Sequence, residues 1–180
     1  MPLSAVATRA AAASGVALLA LAGAASGVPP PPRLATASCE LAILQLAGPS
    51  DRNRVVLDRV SLPPVTYVNQ LAKAPSPGAA RFAKVGVDVQ AGTAVTLEVP
   101  VGQRRNYALT YGDSGGGSRI RYAGTSVEFQ PCDPATHGLR WTGWGGGFLL
   151  RKPACVPLLV HVDGRSERIL VGIGRPCPPA

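Results

Sequence analysis

Val156-Pro157-Leu158-Leu159-Val160-His161-Val162-Asp163-Gly164-Arg165, continued by Arg168-Ile169-Leu170-Val171-Gly172-Ile173 and bracketed by Cys155 and Cys177, decides the fold. Leu158, Val160 and Val162 fall on one face and Leu159 and His161 on the other, the period of two that belongs to a strand. Asp163-Gly164 between two such runs is a hairpin turn signal. A hairpin here brings Cys155 and Cys177 out at the same end of a sheet, close enough to bridge. Four cysteines allow three pairings; the hairpin favours Cys155 with Cys177, which leaves Cys39 for Cys132, the other pairings staying open. A redox pair or a zinc site would use close Cys-x-x-Cys spacing, which these four lack. They read as a disulfide framework, and no metal or other cofactor is expected.

Working outward, the same strand-and-turn signature repeats. Val85 to Leu97 alternates on both sides of Ala91-Gly92 and reads as a second hairpin. Further strands are expected at Glu40 to Leu46, Arg54 to Leu62, Phe82 to Gln90, Thr93 to Val99, Asn106 to Tyr111, Arg119 to Tyr122, Thr125 to Gln130 and Phe148 to Arg151. Pro63 to Gly78 reads as a connection with at most one helical turn near Val68 to Leu71. Short strands at this regular spacing predict an all-β, disulfide-stabilised antiparallel β-sandwich, immunoglobulin-like or jelly-roll.

At the N-terminus, Arg9 precedes an apolar run from Gly15 to Ala22 and then the small residues Gly23-Ala24-Ala25-Ser26, the pattern of a secretory signal peptide. Residues 1–25 are assigned to it. The run falls short of the roughly 20 apolar residues a membrane span needs, so no stable span is expected after cleavage; an uncleaved anchor is the alternative. Thr36-Ala37-Ser38-Cys39 lies too far downstream to be a lipoprotein signal. Pro29 to Pro32 makes residues 26–37 a stiff polyproline linker, and residues 38–180 one domain, secreted to the extracellular side where disulfides persist.

The chain carries 18 Lys and Arg against 10 Asp and Glu, a formal net charge of +8, and fifteen of the basic residues are arginine. Such a balance would attract anionic envelope polymers, phospholipid heads or nucleic acid. The arginines are spread along the chain, which favours a solvated surface, and nucleic acid is not expected as a partner. The only local concentrations are Arg52-Asn53-Arg54, Arg104-Arg105 and Arg119-Ile120-Arg121.

Several motifs carry chemistry-bearing residue types. Gly112-Asp113-Ser114-Gly115-Gly116 matches the nucleophile loop of chymotrypsin-like proteases, but those enzymes place a histidine and an aspartate upstream of the serine. Both histidines here, His137 and His161, lie downstream. A glycine-rich hairpin loop accounts for the stretch. His161 reads as a half-exposed strand residue and His137 as part of a turn; the scattered carboxylates form no pair whose placement the sequence fixes. No catalytic residue is assigned. The remaining candidate is the loop from His137 to Gly147, where Arg140, Trp141 and Trp144 precede three glycines and form a possible recognition platform for sugar rings. The bland alternative makes Trp144 a core plug over a disulfide. With only two Trp, four Tyr and three Phe in the chain, an extended sugar-binding strip is not expected.

Arg54-Val55-Val56-Leu57, Val60-Ser61-Leu62-Pro63-Pro64, Tyr111-Gly112-Asp113, Trp144-Gly145-Gly146-Gly147-Phe148-Leu149-Leu150-Arg151, Cys155-Val156-Pro157-Leu158 and Gly172-Ile173-Gly174-Arg175-Pro176-Cys177 together resemble a group of uncharacterised secreted proteins of high-GC Gram-positive bacteria. That group has no established activity, so the resemblance implies secretion and fold and no catalytic residue. The expectation is a secreted, non-enzymatic binding or interaction module. Its partner is an envelope glycan, an anionic polymer or another secreted protein; the alternatives are a structural or protein-partner domain of the envelope and, behind it, a hydrolase.

Overall fold

The computed structural model describes residues 31–63, 71, 76–113, 119–133 and 139–178. Strands follow one another in chain order as β1 (Leu34–Ala37), β2 (Ala42–Leu46), β3 (Arg54–Val56), β4 (Val60–Leu62), β5 (Arg81–Lys84), β6 (Val87–Gln90) and β7 (Val95–Glu98). They continue as β8 (Tyr107–Leu109), β9 (Ser126–Phe129), β10 (Trp141–Trp144), β11 (Gly147–Leu150), β12 (Ala154–Val162) and β13 (Arg165–Ile173). Cys39–Leu41 and Val101–Gln103 are single 3-10 turns.

One layer has the order β1-β9-β7-β12-β13. The other is two short sheets, β2-β10-β6-β4-β3 and β5-β11-β8, joined because β5 runs on into β6 and β10 into β11. The hinge between them is bridged by the Val85 amide donating to the Gly146 carbonyl at 2.9 Å. Glycine is required at this bend: a Cβ on Gly147 would stand 1.8 Å from the Ala83 carbonyl oxygen. The inner faces of both layers meet in one core. Val87 and Val89 of β6, Val95 and Leu97 of β7, and Val156, Leu158, Val160 and Val162 of β12 all enter it. Their alternation explains their register, since a shift of one residue would turn each apolar set to solvent. Each such side chain contributes about 1.5–3 kcal/mol by leaving water. An aromatic row crosses the core: Trp144 packs edge-on to Phe129 at 5.2 Å, Phe129 meets Tyr111 at 5.5 Å, and Tyr111 meets Phe148 at 6.5 Å.

The β-sandwich and the pairing that the hairpin favoured are both observed. Cys39 bridges Cys132 and Cys155 bridges Cys177, with Cα separations of 5.6 and 5.0 Å. Asp163 and Gly164 take positive φ of 48° and 74° at the β12–β13 turn, the backbone that a two-residue hairpin of this twist needs.

Five expectations are corrected. Arg54 to Leu62 is not one strand but a tight hairpin, β3 antiparallel to β4, turning at Leu57 and Asp58 with positive φ of 50° and 60°. The polyproline linker does not extend to residue 37, because Leu34–Ala37 is β1. It runs parallel to β9, the one parallel pair among the described residues of a sandwich expected to be antiparallel. Its buried residues are the alanines Ala35 and Ala37, too small to signal a strand. Ala91-Gly92 does not close a hairpin: β6 and β7 belong to opposite layers, and the turn arches between them. Alternation is the same in either case. Arg119 to Tyr122 is a turn closed by the Tyr122 amide on the Arg119 carbonyl. Finally, Trp141–Trp144 is a strand between β2 and β6 rather than a loop. The leader at 1–25, the segment 26–30, Val68 to Gln70 and His137 fall outside the described residues. Among those described, no helix is long and apolar enough to cross a membrane.

Candidate functional site

The fold gathers arginines that the sequence scatters. Arg33 precedes β1, Arg104 and Arg105 follow the 3-10 turn after β7, Arg119 and Arg121 lie in the turn before β9, and Arg151 ends β11. All six line one cavity of about 600 Å³, with Ser76 to Ala80 and Ile120 completing the wall. Ala80 and Ile120 also belong to a small separate apolar cluster with Ala108, Ala123 and Leu149.

Three of these guanidinium groups are held by the protein. Arg33 donates from Nε to the Ala123 carbonyl at 2.6 Å and from Nη2 to the Ile120 carbonyl at 2.9 Å. Its own backbone is fixed too, its amide donating to Thr125 Oγ1 at 2.9 Å. Arg104, only 6% exposed, donates to the Val99 carbonyl at 3.3 Å and pairs with Glu98 at 2.8 Å. Arg151 donates to the Gly78 carbonyl at 3.0 Å. On the rim, Arg105, Arg119 and Arg121 are exposed, and Arg121 lies 4.7 Å over the Tyr122 ring.

The charge is poorly matched. Among the described residues, Arg104 alone of the six carries an ion pair. Burial first, and then the positive charge of Arg104, lower the Arg33 pKa below the usual arginine value; its guanidinium stays protonated nonetheless. Like charges held together at a concave site focus a positive field outward, and an anion entering it is drawn by several guanidinium groups at once.

The expected recognition platform is not formed. Trp144 is fully buried, its Nε1 donating to the Ser38 carbonyl at 3.0 Å next to Cys39, so it is the core plug over the disulfide. Trp141 is 8% exposed and flanked by strands on both sides. Arg140 is exposed, with its backbone engaged by Leu46 and Ala91. A ring that is mostly covered cannot stack a sugar. The platform was misread because Trp-Thr-Gly-Trp followed by glycines carries turn composition, while its burial on every residue comes from its central place in a sheet.

His161 is where its strand pattern placed it, half-buried on the outer face of β12. Its Nδ1 lies 2.7 Å from Ser166 Oγ, and its Nε2 lies 3.5 Å from Glu98 Oε2. The trio stands on a sheet face rather than in the cavity, whose lining does not include it. Asp113 of the protease-like stretch accepts the Thr36 amide at 2.6 Å and donates its own to the Thr36 carbonyl at 3.0 Å, so it clamps β1. Ser114 to Gly116 lie outside the described residues. Among those described, no cluster of His, Cys, Asp or Glu is arranged to hold a metal ion.

Two of the arginine concentrations noted in the sequence, Arg104-Arg105 and Arg119-Ile120-Arg121, belong to the cavity. Arg33 follows the proline run and Arg151 stands at a strand end, and neither carries a local signal in the sequence. The third concentration does not join them: Arg54 pairs with Glu167. Comparison with protein-family models, with curated proteins and with solved structures finds no match to the chain.

Proposed function

We propose that the protein is a secreted, non-enzymatic binding module that holds an anionic polymer of the cell envelope in the arginine cavity. The observation that carries this reading is the convergence of six arginines from separate chain segments on one cavity whose lining, among the described residues, includes no carboxylate, Glu98 pairing with Arg104 from the neighbouring sheet face. A solvated surface has no reason to immobilise guanidinium groups side by side, because their mutual repulsion opposes folding. Two disulfides accord with an oxidising compartment, as does the leader-like start of the sequence.

The test is calorimetric titration of the oxidised protein with polyglutamate and dextran sulfate at low and moderate salt. The Arg105→Gln/Arg119→Gln/Arg121→Gln triple variant changes exposed rim residues only. It should weaken binding by about 100-fold, whereas Arg52→Gln/Arg168→Gln/Arg175→Gln, on exposed sites elsewhere, should change it by about threefold or less. Equal loss in the two triples, or no binding at low salt, would sink the proposal.

A second reading, a protein-partner domain, is favoured by the edge strand β2. Leu41, Ile43 and Leu44 are exposed there, Ile43 to 64%, beside an unpaired strand edge of the kind that partners extend. Ile43→Asp/Leu44→Asp would abolish capture of such a partner and leave polyanion binding intact.

A further inference from the structure

Resting on the anion-binding reading above, we infer that the group held in the cavity is phosphoryl, and that its ligand is a chain of linked phosphates whose end enters the site. Side chains lining the cavity are rich in donors and poor in acceptors. Arginine donates only, and the other lining residues are Ser76 and small or apolar groups. A sugar hydroxyl needs both kinds of partner, so a glycan would leave its donors unmet. Among the described residues, no lining aromatic offers a face for a ring. The ligand must therefore consist mainly of acceptors, which leaves carboxylates, sulfates and phosphates.

Charge density separates these. A carboxylate or sulfate ester brings one negative charge, while a terminal phosphoryl brings about −1.5 to −2 near neutral pH and three acceptor oxygens. Six guanidinium groups share about 600 Å³ with one carboxylate nearby, and a few linked phosphates balance them where monoanions would crowd. Two of the arginines, the half-buried Arg33 and the exposed Arg151, are fixed in a way that suits an end group with several oxygens. Arg33 spends Nε and Nη2 on carbonyls, leaving Nη1 without a protein partner among the described residues, and Arg151 uses one donor on Gly78. Such anchored forks lose little side-chain freedom on binding. Arg105, Arg119 and Arg121 at the rim meet the phosphates that follow.

The full oxidised protein is titrated with inorganic tripolyphosphate, monophosphate, citrate, dextran sulfate and a phosphodiester polymer, polyuridylate, at 0.15 M salt, a level at which exposed charge contacts are largely screened. Tripolyphosphate should bind at least about tenfold tighter than citrate. Arg151→Lys keeps the charge and loses the fork; it should weaken tripolyphosphate about tenfold and dextran sulfate little. Melting of the free variant confirms its fold, and phosphorus NMR of tripolyphosphate with the unaltered protein, its end resonance shifting first, requires no variant. Citrate or dextran sulfate binding as tightly as tripolyphosphate would overturn the phosphoryl inference and leave the anion-binding reading standing. Polyuridylate binding tighter than tripolyphosphate would replace the phosphate chain with a phosphodiester ligand. If no anion binds even at low salt, both readings fall.

Discussion

Trp144 Nε1 donates to the carbonyl of Ser38 across 106 residues of chain, at 3.0 Å. This bond ties the central strand β10 to the residue preceding Cys39, so the indole and the Cys39–Cys132 bridge secure the same segment. Trp144→Phe removes the N–H and part of the ring from a fully packed site. The expected loss is about 2 kcal/mol in denaturant unfolding, from the cavity together with one hydrogen bond, the Ser38 carbonyl keeping the Leu41 amide as its other donor.

The disulfides should contribute unequally. Cys39 and Cys132 are 93 residues apart and Cys155 and Cys177 are 22 apart. Loop entropy assigns about 4.7 kcal/mol to the first bridge and about 3.4 to the second. Paired replacement by alanine should reproduce that order in urea midpoints. A larger loss from the Cys155–Cys177 pair would show that the long β12–β13 hairpin depends on its bridge for more than chain entropy.

Asp88 should make stability depend on pH. Burial raises its pKa, an effect that the hydrogen bond from Ser61 partly opposes. A raised folded value means that its favourable contribution is complete below the unfolded carboxylate pKa of about 3.9 and is lost as pH rises through the folded one. Asp88→Asn keeps an acceptor for Ser61 and removes the ionisation. Relative to the parent, the variant should therefore gain stability between pH 4 and pH 7, and a flat difference across that range would contradict the assignment.

Glu98 is the carboxylate that partly neutralises the cavity through Arg104. Glu98→Gln can still accept from Arg104 while removing the negative charge. Anion affinity should rise by several-fold, up to about tenfold, at low salt, with the gain shrinking as salt increases. Calorimetry at two ionic strengths checks this.

How far the sequence reveals this molecule depends on which signals are local. The β12–β13 hairpin was legible because Leu158, Val160 and Val162 alternate into a deep core and Asp163-Gly164 demands a particular turn; the bridge from Cys155 to Cys177 follows from that turn. Strand β1 was not legible, since Ala35 and Ala37 bury too little surface to stand out and proline precedes them. The arch at Ala91-Gly92 was misread because alternation reports which face is inside, not which layer a strand joins. The cavity was half visible. Arg104-Arg105 and Arg119-Ile120-Arg121 are neighbours in sequence, but their meeting with Arg33 and Arg151 depends on β1 lying along β9 and on β11 ending beside Gly78. Such convergence is a property of the closed topology and has no counterpart in any window of the chain.

The guanidinium groups around the cavity belong to the entry into β1, the β7–β8 and β8–β9 connections and the end of β11. An anion bound there would act as a rivet through these pieces of backbone, adding to the bonds by which Arg33 already ties the entry into β1 to the β8–β9 connection. Empty, that end of the sandwich carries its own repulsion; filled, it becomes cross-braced. Ligand occupancy would therefore be written into the mechanical toughness of the whole sandwich, raising its melting temperature in step with ligand concentration.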